Sequence, residues 1–428
     1  MGGVALALVL AGTALVVDAE AAAAFDAPKR LIAMIGIAVA AAATFALPKR
    51  DAAAPGPPLL APPPARRLAL VLAAAALGLA FISALASPRR GVALDAMRSV
   101  AVFALLLPLG ASRTVAKAER WLAGVFLAVT AVNAFVSILE SRNLFHPFPL
   151  ETFGARQETG AYAGNVGYLA LVLALSVVLS LGLLLTQRRT AVRWASGLAA
   201  VLFAIALLVN RNLTALTAAF AGVAVLLVVL YRKRALLPMA AAVLAAVVAV
   251  VVYAPLRERA RELGAAARTG NWDAIVSFRG GAWAAASEMA RERPWLGYGP
   301  GTFGAEYVPH RLAAEIRVRR RFVAPLMTSS YAEAHCDYLQ VFSDAGVPAG
   351  LAVVGAVAGL FAALGTAAWR RRTAESALLF AVLAAGAMSG LTWFPLQRPV
   401  TAVPLLLAAG RAWRISADDA VSNGEVEA

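Results

Sequence analysis

The chain reads as an all-α integral membrane protein, with about 12 transmembrane helices and one large extracytoplasmic loop containing short helices. Three observations lead there. Of its 428 residues 61% are hydrophobic and the mean hydropathy is +0.75, more apolar surface than a soluble core can hide. The apolar runs are longer than barrel strands and do not alternate, and in hydrocarbon only helices or a closed barrel satisfy every backbone group. Lys and Arg are dense in alternate short loops, the charge asymmetry that sets topology in a bilayer.

Uninterrupted apolar stretches place spans near 2–17, 31–47, 68–86, 92–110, 121–139, 161–185, 194–209, 213–231, 235–253, 346–369, 376–394 and 399–413. Each is close to the length that crosses ~30 Å of hydrocarbon. The first span has no basic flank ahead of its apolar core, so it reads as a retained helix rather than a cleaved signal peptide. The chain thus divides into helices 1 to 9 over residues 1–253, a loop over 254–345, helices 10 to 12 over 346–413, and a polar, acidic tail over 414–428 expected to be disordered. Residues 48–67, rich in Pro and Ala, read as a semi-rigid linker.

The more cationic loops contain Lys49, Arg50, Arg66 and Arg67, then Arg113, Lys117 and Arg120, then Arg188, Arg189 and Arg193, then Arg232, Lys233 and Arg234, and finally Arg370, Arg371 and Arg372. The intervening loops are sparser, with Lys29 and Arg30, Arg89 and Arg90, Arg142 and Arg156, Arg211, and Arg398. Cationic loops stay in the cytoplasm, so both termini are expected there and 254–345 outside. The net charge of +15 is largely this signal and does not read as a nucleic-acid footprint.

The loop 254–345 is too long for a plain connector. It holds many Arg and no Lys. Guanidinium groups suit planar capture of phosphate or carboxylate oxygens, although a general preference for Arg would give the same composition. Helical spacing over Ser277 to Met289 puts Arg279 and Trp283 on one face, before Pro294 ends the run. Gly297, Gly299 and Gly301 follow, their spacing suited to a tight turn and close backbone approach. His335 and Tyr338 then open an amphipathic stretch running through Asp344, Gly346 and Gly350 into the tenth span.

In that order, these residues resemble the O-antigen ligase and O-antigen polymerase superfamily of bacterial envelope polysaccharide assembly. The family's Arg and Trp correspond to Arg279 and Trp283, its Gly-rich turn to Pro294, Gly297, Gly299, Gly301 and Phe303, its His-x-x-Tyr-Leu element to His335, Tyr338 and Leu339, and its acidic-x-Gly step to Asp344 and Gly346. Upstream, Arg156 through Gly164, Asn165, Val166, Gly167 and Tyr168 is similar to a Gly-Asn-Pro-Asn segment, and Asn210-Arg211 to a Ser-Arg pair. Val166 stands where Pro is usual, Asn210 where Ser is common and Cys336 where Asn is common.

The resemblance implies transfer of a glycan from a polyprenyl diphosphate carrier to a glycan or lipid-core acceptor hydroxyl, at the outer face of the bacterial inner membrane. Its partners would be that donor, that acceptor and membrane lipids, without nucleic acid. The roles implied are His335 as general base, Arg279 in catalysis and diphosphate binding, Arg211 and Arg156 in diphosphate binding, and Trp283, Gly297, Gly299, Gly301 and Tyr338 in shaping the site. Bland readings stand beside these. Arg279 could pair with Asp273 or Glu288, Arg211 could anchor a helix end at the interface, and His335 could be a structural histidine.

No cofactor or metal is expected, since His146, His310 and His335 are the only histidines and no carboxylate cluster accompanies two of them. Glu333 and Asp337 could converge on His335 only if that segment were extended. The lone Cys336 excludes an intramolecular disulfide. A polymerase of the same superfamily is the nearest alternative. A transporter would use Asp95 and Arg98 as a pathway, but the inverted repeats expected of one are missing.

Overall fold

A computed structural model describes residues 1–21, 23–46, 64–147, 160–323, 331–371 and 373–422, and the described residues are helical with no strand. The N-terminal bundle comprises α1 (Gly2–Leu15), α2 (Ala27–Ala41), α3 (Pro64–Ala86), α4 (Arg90–Ala104), α5 (Leu106–Gly110) and α6 (Arg113–Ser141). Next come α7 (Val166–Thr186), α8 (Thr190–Asn210), α9 (Leu213–Tyr231) and α10 (Leu236–Val252). The segment expected to lie outside, called the outer segment below, folds as α11 (Ala254–Arg268), α12 (Trp272–Ile275), α13 (Gly280–Glu292) and α14 (Phe303–Val318). The chain returns through α15 (Asp337–Arg371), α16 (Ala374–Gly390) and α17 (Pro399–Ser422). Side-chain oxygens of Ser112, Asn165, Asn212 and Thr373 start α6, α7, α9 and α16 by accepting from backbone N–H groups that have no partner in a first turn.

The chain is a multi-pass membrane protein. Among the described residues eight helical stretches are long and apolar enough to cross a bilayer, and α1 and α16 are shorter apolar helices. That measure does not reproduce the expected count of about 12. One reason is that α9 and α10 continue through the turn Arg232–Ala235 as one stretch, and another is that α17 carries Arg411 and Arg414.

Helix α7 is buried along nearly its whole length and packs against α6, α8, α9 and α16. Helix α3 lies along α15, α1 against α2 and α6, and α5 against α17. Apolar residues that would face solvent in a soluble protein remain exposed on the outer helices, among them Leu8, Ile35, Val71, Leu198 and Leu244. This is the arrangement expected where lipid is the solvent.

Three boundaries differ from the sequence expectation. The run expected from Ser277 becomes helical only at Gly280, because Ser277 and Phe278 adopt left-handed φ of 52° and 62°. Helix α15 begins at Asp337, inside the expected loop, and kinks at Gly346 (φ 85°, ψ 172°), two residues before Pro348. The tail expected to lack order from 414 continues α17 to Ser422, with Arg414 paired to Asp418 one turn on at 3.1 Å. Most of the expected 48–67 linker lies outside the described residues.

The outer segment has its own small core, formed by Ala282, Ala285, Ala286, Met289, Tyr298, Phe303, Tyr307 and Ala334. The glycine turn fastens it to the membrane helix below. Gly297, Gly299 and Gly301 have φ of 63°, 104° and 75°, values that L side chains rarely adopt. The turn lies so close to α15 that a Cβ on Gly297 would meet the Asp344 carbonyl carbon at 2.6 Å. Tyr298 and Gly299 donate backbone N–H groups to the carbonyls of Ser343 and Asp344 (3.0 and 2.8 Å), and Val347 donates to Pro294 (2.7 Å). The kink makes this possible, since Pro348 has no N–H to offer the Asp344 carbonyl.

Candidate active site

Six stretches that are remote in sequence meet at one end of the helices: residues 25–30, 160–168, 210–214, 277–283, 331–337 and 392–398. Apart from the long loop's own stretches, these are sparse-charge loops of the sequence reading, so they share one face of the protein.

His335 is at the centre. Its backbone is left-handed (φ 54°), an uncommon state for a residue with a Cβ and one often found at functional sites. The rings of Tyr331, Phe394 and Trp393 meet the imidazole edge-to-face, with centroids at 4.8, 4.9 and 5.2 Å. Its Nδ1 is 3.0 Å from the Glu333 carbonyl. A carbonyl can only accept, so Nδ1 carries the proton and Nε2 is the basic nitrogen. Burial, offset partly by the Glu333 carbonyl and reinforced by the Arg279 and Arg398 charges, lowers the His335 pKa to about 4. The imidazole is therefore neutral at physiological pH. The sequence expectation of a value near or somewhat below ~6.5 counted neighbouring charge and missed the larger effect of desolvation.

Arg279 stands at the residue before α13, with no side-chain capping bond to the helix. Its Nη1 donates to Thr214 Oγ1 (3.2 Å) at the head of α9, and its guanidinium lies 5.0 Å over the Trp393 ring. The acids considered as its structural partners are engaged elsewhere, Asp273 with Arg320 (2.8 Å) and Glu288 with Arg317 (2.6 Å). Trp283, one turn into α13, donates its indole N–H to the His335 carbonyl (3.3 Å). Arg279 and Trp283 thus reach the surroundings of His335 from the start of one helix, and Trp393 contacts both Arg279 and His335.

Arg211 ends α8 in a left-handed conformation (φ 58°), three residues before Thr214, and is exposed. Its turn is built by Asn210, which donates to the Val166 carbonyl (2.9 Å), and by Asn212, which caps α9. Arg156 lies outside the described residues. Tyr338 points away from the imidazole, its hydroxyl donating to the Ala387 carbonyl of α16 (3.3 Å). The turn glycines contact α15 and the α3–α4 loop rather than His335.

Glu333 and Asp337 do not converge on His335. Glu333 pairs with Arg398, and Asp337 accepts from the Leu396 N–H (2.9 Å). Among the described residues no three His, Cys, Asp or Glu side chains gather as a metal would require. His310 is structural: its Nδ1 donates to the Glu306 carbonyl (2.6 Å), and its Nε2 meets the Tyr298 hydroxyl (2.8 Å) and Glu292 (3.2 Å).

Sequence reasoning missed the residues 392–398. Thr392 bonds Thr214 at 3.1 Å, Trp393 and Phe394 stack on each other at 4.6 Å, and the Arg398 guanidinium covers Tyr168 at 4.9 Å. The upstream segment explains itself here. Asn165 caps α7 by accepting from Gly167 (2.7 Å), and a Cβ on Gly167 would stand 2.2 Å from the Trp393 ring. The one available signal was a Trp-Phe-Pro run ending an apolar stretch, followed by a solitary Arg.

The family model described as O-antigen ligase matches residues 174–354. The matched stretch includes Arg211, Arg279, Trp283, the glycine turn and His335, and stops short of Trp393 and Arg398. No curated protein matches the chain.

Proposed function

Since residues 174–354 match the family model described as O-antigen ligase, we propose that this protein transfers a glycan from a polyprenyl diphosphate carrier to an acceptor hydroxyl, at the outer face of a bacterial inner membrane. The observation that carries the reading is the Arg279–Trp393–His335 arrangement, a cation and a neutral base that both pack on one indole ring.

The acceptor O–H gives its proton to His335 Nε2 as the oxygen bonds to the anomeric carbon. The bond from that carbon to the diphosphate oxygen breaks, and the carrier leaves as its diphosphate. Arg279, with Arg211 and Arg156, meets the charge growing on the leaving group. The aromatic enclosure of His335 keeps water away from the reacting centre and keeps the imidazole neutral. A metal is not needed in this scheme because guanidinium groups neutralise the diphosphate, so transfer by purified protein should persist in EDTA. Activity lost in chelator and restored by one divalent ion would overturn that part.

A transporter gains no support from Asp95 and Arg98, which pair with each other at 3.2 Å on an exposed face of α4 and line no interior path. The direct test is surface polysaccharide from a deletion strain. Loss of attached glycan with retention of carrier-linked polymer identifies a ligase, and accumulation of single repeat units identifies a polymerase. Unchanged polysaccharide would refute both.

A further inference from the structure

We propose that Arg398 is a positioning residue for His335, holding the imidazole through Glu333 and Phe394 in the tautomer that leaves Nε2 free to accept a proton. This rests on the general-base reading of His335.

Arg398 lies in the outer turn between α16 and α17, 63 positions after His335 in the sequence. Its guanidinium is pinned from several directions. One Nη pairs with Asp26 at 3.1 Å and the other with Glu333, while the plane covers the Tyr168 ring at 4.9 Å and the Phe394 ring at 5.4 Å. Asp26 is itself held by Arg30 at 3.2 Å. The result is a chain of alternating charge, Arg30, Asp26, Arg398 and Glu333, linking the first outer loop to the last and to the segment bearing His335.

Both ends of the imidazole's environment depend on that chain. The Glu333 side chain is held by Arg398 while its carbonyl accepts from His335 Nδ1 at 3.0 Å. Phe394, which packs edge-to-face on the imidazole, has its ring under the same guanidinium. A non-helical segment with a left-handed residue at its centre would not keep one ring orientation unaided. A planar, multidentate cation is suited to fixing two carboxylates and two rings at once.

Charge adds a second effect. The ionisable groups around His335 are Arg279, Arg398, Glu333, Tyr331 and Asp337. Glu333 is balanced by Arg398, and Asp337 is tied to the Leu396 N–H. Removing the Arg398 charge takes away one of the cations that disfavour the imidazolium. Arg398→Gln should therefore both loosen the tautomer and make the base protonate at higher pH.

The test uses the full chain with 15N-labelled histidine, whose three imidazoles are assigned by subtraction with His335→Ala. In the wild type His335 should appear as the neutral, Nδ1-protonated tautomer throughout pH 5 to 8. In Arg398→Gln the two tautomers should mix, and the imidazolium should appear at least about one pH unit higher. Transfer should fall about tenfold or more in kcat with donor KM nearly unchanged. Arg398→Lys should recover part of the loss, and Glu333→Gln should mix the tautomers in the same way without raising the pH at which the imidazolium appears. If Arg398→Gln does not fold, these two milder variants carry the test. An unaltered tautomer and titration in folded variants would overturn the proposal, as would activity loss that follows only the folded fraction. Should His335→Ala transfer glycan normally, the general-base reading fails separately, and the imidazole spectrum still decides whether Arg398 positions the ring.

Discussion

In the proposed mechanism His335 and Arg279 act through different physical properties, and single substitutions should separate them. His335→Ala removes the proton acceptor and should lower turnover by about 10²–10⁴-fold while leaving donor affinity intact, measured with a labelled carrier lipid. Arg279→Ala should weaken donor binding as well as turnover. Arg279→Lys should restore only part, because an ammonium neither engages two phosphate oxygens nor stacks on Trp393 as a planar group does. The pH dependence follows from the sign of the shift. Only neutral His335 accepts a proton, and burial holds its pKa at about 4. Activity should thus stay level from neutral pH down to about 5 and fall only as pH approaches 4. A half-loss near pH 6.5 would mean that water reaches the imidazole.

At the scale of elements, the glycine turn and the head of α7 are the places where backbone, and not chemistry, sets the geometry. Gly297→Ala forces a Cβ against the Asp344 carbonyl at a left-handed position, and should destabilise the outer segment by about 1–3 kcal/mol, seen as earlier proteolysis between α13 and α15. Gly167→Ala should do less to folding and more to activity, since its Cβ displaces Trp393, the ring that contacts both Arg279 and His335. Some of this was legible beforehand. The ordered appearance of Arg279, Trp283, the glycines and His335 marked the outer segment as the site, because those residues are close in sequence and carry distinctive spacing. Trp393, Phe394 and Arg398 were not legible, because they reach His335 only through the return of α15 and α16, and spacing says nothing of contacts made across two helices. The left-handed Ser277 and Phe278 were equally hidden, since neither residue type announces such a backbone.

For the whole molecule, hydropathy sufficed to find helices, because lipid imposes length and apolarity on each span. Among the described residues eight stretches meet the length and apolarity of a span, with α9 and α10 joined end to end and α1 and α16 shorter. Orientation rests on charge alternation, and reporters that work only outside the cytoplasm should be active when fused at Gly264 or Ala313 and silent at Thr373. Silence at both loop positions would invert the protein and move the site to the cytoplasmic face. The clustering of the sparse-charge loops around His335 is what that charge alternation requires, whichever way the face is turned.

The stitching of residues 294–299 to 343–347 has a further consequence, for how such proteins can be recombined. A ribosome delivers the turn roughly one helical hairpin before its partner, so the outer segment must wait, its amides still wet, until α15 has entered the bilayer. An exchange that swaps the outer segment alone would pair a foreign turn with a native kink, and a turn of different shape would take its N–H groups out of register with the carbonyls of Ser343 and Asp344. The transplantable unit is therefore 280–350 as one piece, cap and helix head together, and chimeras joined inside it should fail to assemble where those joined outside it succeed.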